Sequence, residues 1–148
     1  MEKVAELIEV KRRQGITGVQ KIESSATALD AARVMTKRGV GSLLVIDDDA
    51  KPVGIVTERD LLARVVAEAR PAAQTPVSEI MSSPVLTCRL TTCLDELRQV
   101  MRHERIRHVP VVNAGQIEGM ISIGDLNYAR SETMVETIRA LEAYITSA

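Results

Sequence analysis

The sequence predicts an α/β fold of the α+β kind: two β-α-β-β-α repeats related by a pseudo-twofold, with a helix at either end. Three observations predict it. One residue pattern is written twice, short apolar runs are bounded by turn residues, and helical spacing lies on either side of those runs. Met35-Thr36-Lys37-Arg38-Gly39-Val40 answers Met101-Arg102-His103-Glu104-Arg105-Ile106, 66 positions on. Leu43-Leu44-Val45-Ile46 answers Val109-Pro110-Val111-Val112 at the same offset, and Gly54-Ile55-Val56-Thr57 answers Gly119-Met120-Ile121-Ser122 at 65. The second copy has lost one residue between its two apolar runs.

Each element follows from its residues. Ala28, Ala31, Ala32 and Met35 recur at helical spacing, and Gly39 after Lys37 and Arg38 reads as a left-handed stop behind a basic last turn. Val40 to Ile46 is too short and too uniformly apolar for an amphipathic helix, so it reads as a strand. The turn-forming Asp47-Asp48-Asp49-Ala50-Lys51-Pro52 then makes a hairpin with a second strand, Val53 to Val56. Leu61, Leu62, Val65 and Val66 fall on one face of a second helix. Arg70-Pro71-Ala72-Ala73-Gln74-Thr75-Pro76 reads as a loose linker to the second copy. Val4, Leu7 and Ile8 mark a short amphipathic helix at the start, and Met134, Ile138, Leu141 and Ile145 mark one at the end. The expected division is 1–15 for the first helix, 16–70 for repeat one, 71–130 for linker and repeat two, and 131–148 for the last helix. A unit of about 60 residues buries only about 60% of its unfolded surface, so two such units are expected to pack and share a core.

Composition excludes several functions. A net charge of -1 gives no long-range pull on a polyanion, and a chain with no Phe and no Trp lacks the rings on which single-stranded bases stack. Nucleic acid is therefore not expected as the main partner. No apolar run reaches the about 20 residues of a spanning helix, and Met1-Glu2-Lys3-Val4-Ala5-Glu6 is too acidic and broken for a secretory signal. A cytoplasmic protein without a membrane partner is the expectation. Cys88 and Cys93 are the only cysteines, and His103 and His108 lie five apart, off a common helix face. Neither set makes a metal site.

The informative segments are Gly54-Ile55-Val56-Thr57-Glu58-Arg59-Asp60 and Gly119-Met120-Ile121-Ser122-Ile123-Gly124-Asp125. Each is a glycine, two apolar strand residues, a hydroxyl, and an aspartate three further on at a helix start. A helix N-terminus favours an anion, and a hydroxyl there can donate to a phosphate oxygen. An ionised aspartate accepts from two vicinal hydroxyls of a ribose, so a nucleotide fits both groups. The same hydroxyl-x-x-acid tetrad is also how helices cap themselves. Its recurrence at one place in both copies, after a short strand and a glycine, is what raises ligand binding beside capping.

From about Ile16 to Ala129 the chain resembles the CBS-domain family. The motifs that carry the likeness are Gly54-x-x-Thr57-x-x-Asp60, Gly119-x-x-Ser122-x-x-Asp125 and Arg105-Ile106-Arg107-His108-Val109-Pro110-Val111-Val112. Such proteins are paired-repeat regulatory modules, and the resemblance implies an adenine nucleotide bound in the cleft between the two motifs. It further implies that Thr57 and Asp60 serve one site, Ser122 and Asp125 the other. The hydroxyl contacts phosphate, the aspartate holds ribose, and strand backbone, here including Val109 and Pro110, frames the adenine. On the phosphate side the second copy offers Arg107, His108 and Thr87, and the first offers Gly41, Ser42 and Lys21, with Arg59 to supply the missing charge. Arg98, Arg102 and Arg105 read as a solvated basic face. The resulting expectation is a non-enzymatic sensor of AMP, ADP, ATP, NAD(H) or S-adenosylmethionine that signals to an unidentified regulated protein. The alternative is a docking or dimerisation module with vestigial clefts. A homodimer is expected from the apolar faces Leu61/Leu62/Val65/Val66 and Leu126/Ala129. The second-copy site is expected to be the tighter for phosphate, because an arginine fork outdoes a glycine amide and a serine hydroxyl.

Overall fold

A computed structural model describes residues 1–147. They form two compact units, one of residues 19–86 and the other of residues 1–18 together with 87 onward. In the first unit β1 (Lys21–Glu23), α2 (Ala28–Arg38), β2 (Ser42–Ile46), β3 (Pro52–Thr57) and α3 (Glu58–Leu61) follow in order, and a π-helical turn continues α3 over Leu62–Val66. The sheet order is β1-β2-β3, with β1 parallel to β2 and β2 antiparallel to β3. Leu43, Leu44 and Val45 are all fully buried, so β2 is covered on both faces. That accounts for its unbroken apolar run.

Local chemistry fixes the helix ends. The Thr27 hydroxyl accepts from the Asp30 amide at 3.1 Å while the Asp30 carboxylate accepts from the Thr27 amide at 3.0 Å. The Thr27 amide, then its hydroxyl, hold the Asp30 carboxyl below the ordinary carboxylate value. α2 stops at Gly39 with φ 66°, and the second unit's α4 (Leu94–Glu104) stops at Arg105 with φ 56°. The same left-handed stop therefore recurs 66 positions on without the glycine that relieves it.

In the second unit β4 (His108–Asn113) pairs antiparallel with β5 (Gln116–Ser122), and α5 (Ile123–Ser147) follows directly. A third strand is reduced to one parallel bridge between Cys88 and Val111. Burial pushes the Cys88 thiol up to about 11, so it stays protonated. The lost residue lies in the hairpin. Ala114 and Gly115, at φ 50° and 76°, form a tight turn, whereas the first copy uses Asp47 Oδ1 to accept from the Asp49 and Lys51 amides.

Each core is completed by a segment that precedes the repeat's helix in space rather than in the repeat pattern. In the first unit the Ala28 amide donates to Thr75 O at 2.8 Å and the Val77 amide to Ala26 O at 2.8 Å. In the second, the Leu94 amide donates to Glu2 O and the Val4 amide to Thr92 O, both at 2.9 Å. Residues 2–8 thus occupy in one unit the place that 75–81 occupy in the other. Val77 and Ile80 are fully buried in the first core, and Val4 and Leu7, leading α1 (Val4–Arg13), in the second.

Several expectations are corrected. The segment after Arg70 is not a loose linker: Thr75, Val77 and Ile80 are buried, because they cover α2 and the sheet. The last helix does not begin at 131 but runs unbroken from Ile123, and Ala148 lies outside the described residues. Leu61, Leu62, Val65 and Val66 do not share a face. Leu61 and Val65 pack on the core side while Leu62 and Val66 are 64% and 68% exposed, so the four divide between two sides of the turn. Leu126 and Ala129 are buried in their own unit's core, so they are not a free dimerisation face. Arg98 is not simply solvated either: it donates to Leu126 O at 2.7 Å and Asn127 Oδ1 at 3.0 Å, clamping α4 to α5.

Candidate functional site

Strand register assembles each signature. Ser42 stands opposite Thr57 and His108 opposite Ser122. The Glu58 amide donates to Gly41 O at 3.0 Å, and the Ile123 amide to Arg107 O at 2.9 Å. So Gly41, Ser42, Thr57 and Asp60 come together in the first unit, and Arg107, His108, Ser122 and Asp125 in the second. Lys21 and Thr87 are exposed beside the first strand or its bridge, and Arg59 is exposed on α3. Val109 is buried in the core, and Pro110 O accepts from the Cys88 amide.

Both tetrads form capping boxes. Asp60 Oδ2 accepts from the Thr57 amide at 2.9 Å and from its hydroxyl at 3.1 Å, and the Asp60 amide returns to Thr57 Oγ1 at 3.2 Å. Asp125 Oδ2 accepts from the Ser122 amide at 2.8 Å, and the Asp125 amide donates to Ser122 Oγ at 3.1 Å. Two differences follow. The Thr57 hydroxyl also donates to Asp60 Oδ2, a bond that Ser122 does not repeat toward Asp125. The cations beside the two carboxylates also differ: Arg64 Nε lies 3.9 Å from Asp60 Oδ1, and Lys11 Nζ lies 2.8 Å from Asp125 Oδ2.

The signature glycines have a steric duty. A Cβ on Gly54 would stand 2.5 Å from Met81 Sδ and 2.9 Å from Ser82 O, and one on Gly119 would stand 2.8 Å from Ile8 Cδ1. Here the equivalence of 75–81 and 2–8 reaches the site itself.

Three site residues escaped the sequence reading. Glu58 extends its carboxylate over Gly41, with Oε1 3.2 Å from where a Cβ would stand, which puts negative charge on the first copy's phosphate side. Ile123 holds the equivalent position in the second copy. Arg64 donates to Ile80 O and Met81 O at 3.0 and 3.1 Å. Lys11 of α1 donates to Asp125 Oδ2 at 2.8 Å and Met120 O at 2.6 Å. A signal for Lys11 was present: it lies three and four positions after the buried Ile8 and Leu7, on the apolar face of its helix.

Two repeats of this topology, each presenting a hydroxyl and an acid at a helix start, define a tandem regulatory ligand-binding module. The CBS domain model matches residues 14–67 and 77–132, and the chain belongs to the CBS-domain family. It is 35% identical over 123 residues to the mitochondrial CBS domain-containing protein CBSX3 of Arabidopsis thaliana, covering 80% of this chain and 60% of that one. The chain therefore spans less than two thirds of that relative's length. A CBS-domain containing protein from Agrobacterium tumefaciens superposes with a TM-score of 0.79 at 32% identity, over 87% of this chain and 93% of that one. A hexameric CBS-CP12 protein from bloom-forming cyanobacteria superposes with a TM-score of 0.69 at 27% identity, over 86% and 82%. Among the described residues no helix is long and apolar enough to cross a membrane.

Proposed function

We propose that this CBS pair is a non-catalytic sensor of an adenine nucleotide, with the second-copy signature holding the phosphate-bearing ligand more tightly. AMP, ADP, ATP, NAD(H) and S-adenosylmethionine share the adenosine that Asp60 and Asp125 would hold by the ribose. The observation that carries the reading is the Ser122 hydroxyl, which strand register and the bond from the Ile123 amide to Arg107 O group with His108 and Arg107 in one unit. It can donate to a phosphate oxygen beside a planar cation. The first copy has Glu58 over Gly41 and a Thr57 hydroxyl already turned to Asp60, both unfavourable to an anion. Output passes to a regulated partner protein, and the cytoplasm, where Cys88 and Cys93 stay reduced, is its proposed compartment.

Calorimetric titration with AMP tests this. A hydrogen bond to a charged group contributes about 1.5 to 3 kcal/mol, so Arg107→Ala or Asp125→Ala is expected to weaken binding roughly ten- to a hundredfold, and Asp60→Ala less. If both aspartate changes lower only the ligand-free melting temperature and leave affinity intact, the tetrads are caps and nothing more.

The homodimer is proposed on a surface other than the one first expected. From Arg130 to Ser147 every residue of α5 is exposed, and Met134, Ile138, Leu141 and Ile145 form a stripe at alternating spacings of four and three. Most helical stability in proteins comes from packing of an apolar face, and a second copy of this stripe would supply it. Light scattering should give twice 16.2 kDa, and Ile138→Glu with Leu141→Glu should return it to the monomer mass. A monomer in the unaltered chain removes the proposal.

A further inference from the structure

The two signatures are closed in different ways. In the first unit the backbone of Ser82 meets that of Ile55 in a two-bond bridge, Ile55 N to Ser82 O at 3.0 Å and Ser82 N to Ile55 O at 2.8 Å. Met120 is the residue that answers Ile55. In the second unit the equivalent chain is still helical, because α1 continues to Arg13, and a helix has no free backbone edge to offer a strand. A side chain takes over that role: the Lys11 ammonium donates to Met120 O and, with a second proton, to Asp125 Oδ2.

This contact is shielded, with the Lys11 and Asp125 side chains only 15% and 23% exposed. It places a cation on the carboxylate that a ribose would use. Among the described residues Asp60 has no such cation in hydrogen-bonding range, its guanidinium neighbour Arg64 lying 3.9 Å away. We propose that Lys11 is a built-in competitor for Asp125: a ligand diol engages the second-copy carboxylate by displacing the ammonium, and occupancy of that copy loosens the last turn of α1. The proposal rests on the nucleotide reading of Asp125 and adds to it the identity of the group that must leave.

The chemistry sets the sign of the effect. An acceptor oxygen already taken by an ammonium has less to give a neutral hydroxyl, so binding at Asp125 includes the loss of a charge-assisted hydrogen bond. Removing the ammonium while keeping the packed stem should therefore strengthen binding, the reverse of what losing a ligand contact does. Methionine keeps that stem.

The test uses the full chain with Asp60→Ala to weaken the first site, and AMP as the probe in calorimetric titration. Adding Lys11→Met should tighten AMP binding about tenfold, and Lys11→Arg, which retains a cation, should leave it near the starting value. Without ligand, melting curves of Lys11→Met, Asp125→Asn and the double variant should be non-additive, the double costing less than the two singles together. Unchanged or weaker AMP binding in Lys11→Met, beside clear binding in the parent, overturns the competition and leaves the nucleotide reading standing. Absence of AMP binding from the unaltered chain and every variant overturns the nucleotide reading, and the competition with it.

Discussion

Gly54→Ala should lower stability toward urea by about 3 kcal/mol, while Gly119→Ala should cost no more than about 1 kcal/mol. The sequence makes these glycines equivalent, and the packing does not. The new methyl at residue 54 would meet Ser82 O at 2.9 Å, and that carbonyl is held at 3.0 Å by the Ile55 amide. Relief requires either backbone movement or a broken bridge, and Met81, at 2.5 Å, must move as well. At residue 119 the obstacle is the far end of the Ile8 side chain, which can rotate away. Urea unfolding followed by circular dichroism measures both. Equal losses would mean that close backbone approach is not why residue 54 is glycine.

A chain beginning at Ile16 should lose the tertiary structure of its second repeat and keep that of its first. Val4, Leu7 and Ile8 are almost wholly buried against Cys88, Leu94, Leu97 and Val111. Burying each contributes about 1.5 to 3 kcal/mol, so their removal takes roughly 5 to 9 kcal/mol from a unit whose whole stability is of the order of 5 to 15. The Lys11 contacts and the amide of Leu94 lose their partners too. The core of residues 19–86 draws on none of these side chains. Hydrogen exchange resolved by segment should show fast exchange over β4 and β5 and slow exchange over β2 and β3. Equal protection in both would show that α1 is not part of the second core.

Much of this architecture was legible in the sequence, because the repeat, the hairpins and the Gly39 stop depend on local residue chemistry. The hydroxyl-acid tetrads were legible both as caps and as candidate ligand groups, and the geometry satisfies the first while grouping Arg107 and His108 with Ser122 for the second. What could not be read is tertiary. Nothing near residue 75 announces that it stands where Glu2 stands in the other copy, since no residue pattern links the two segments. The π turn after Leu61 has no compositional mark, and nothing local separates the packed Leu61 and Val65 from the exposed Leu62 and Val66. No motif marks Lys11, although its place behind Leu7 and Ile8 put it on the buried side. Arg105 in a left-handed conformation was hidden because the helix stop there relies on position rather than on glycine.

The borrowed closing segment also sets an order of events in time. The first repeat is contiguous, so everything in its core has been synthesised once residue 86 is made. The second is not: α1 is made before the strands and helix it covers, which come more than 80 residues later. Through that interval Val4, Leu7 and Ile8 have no native neighbours, and closing so long a loop is slower than forming the local contacts of residues 19–86. Although it is made before both repeats, α1 is therefore among the last of these elements to find its place.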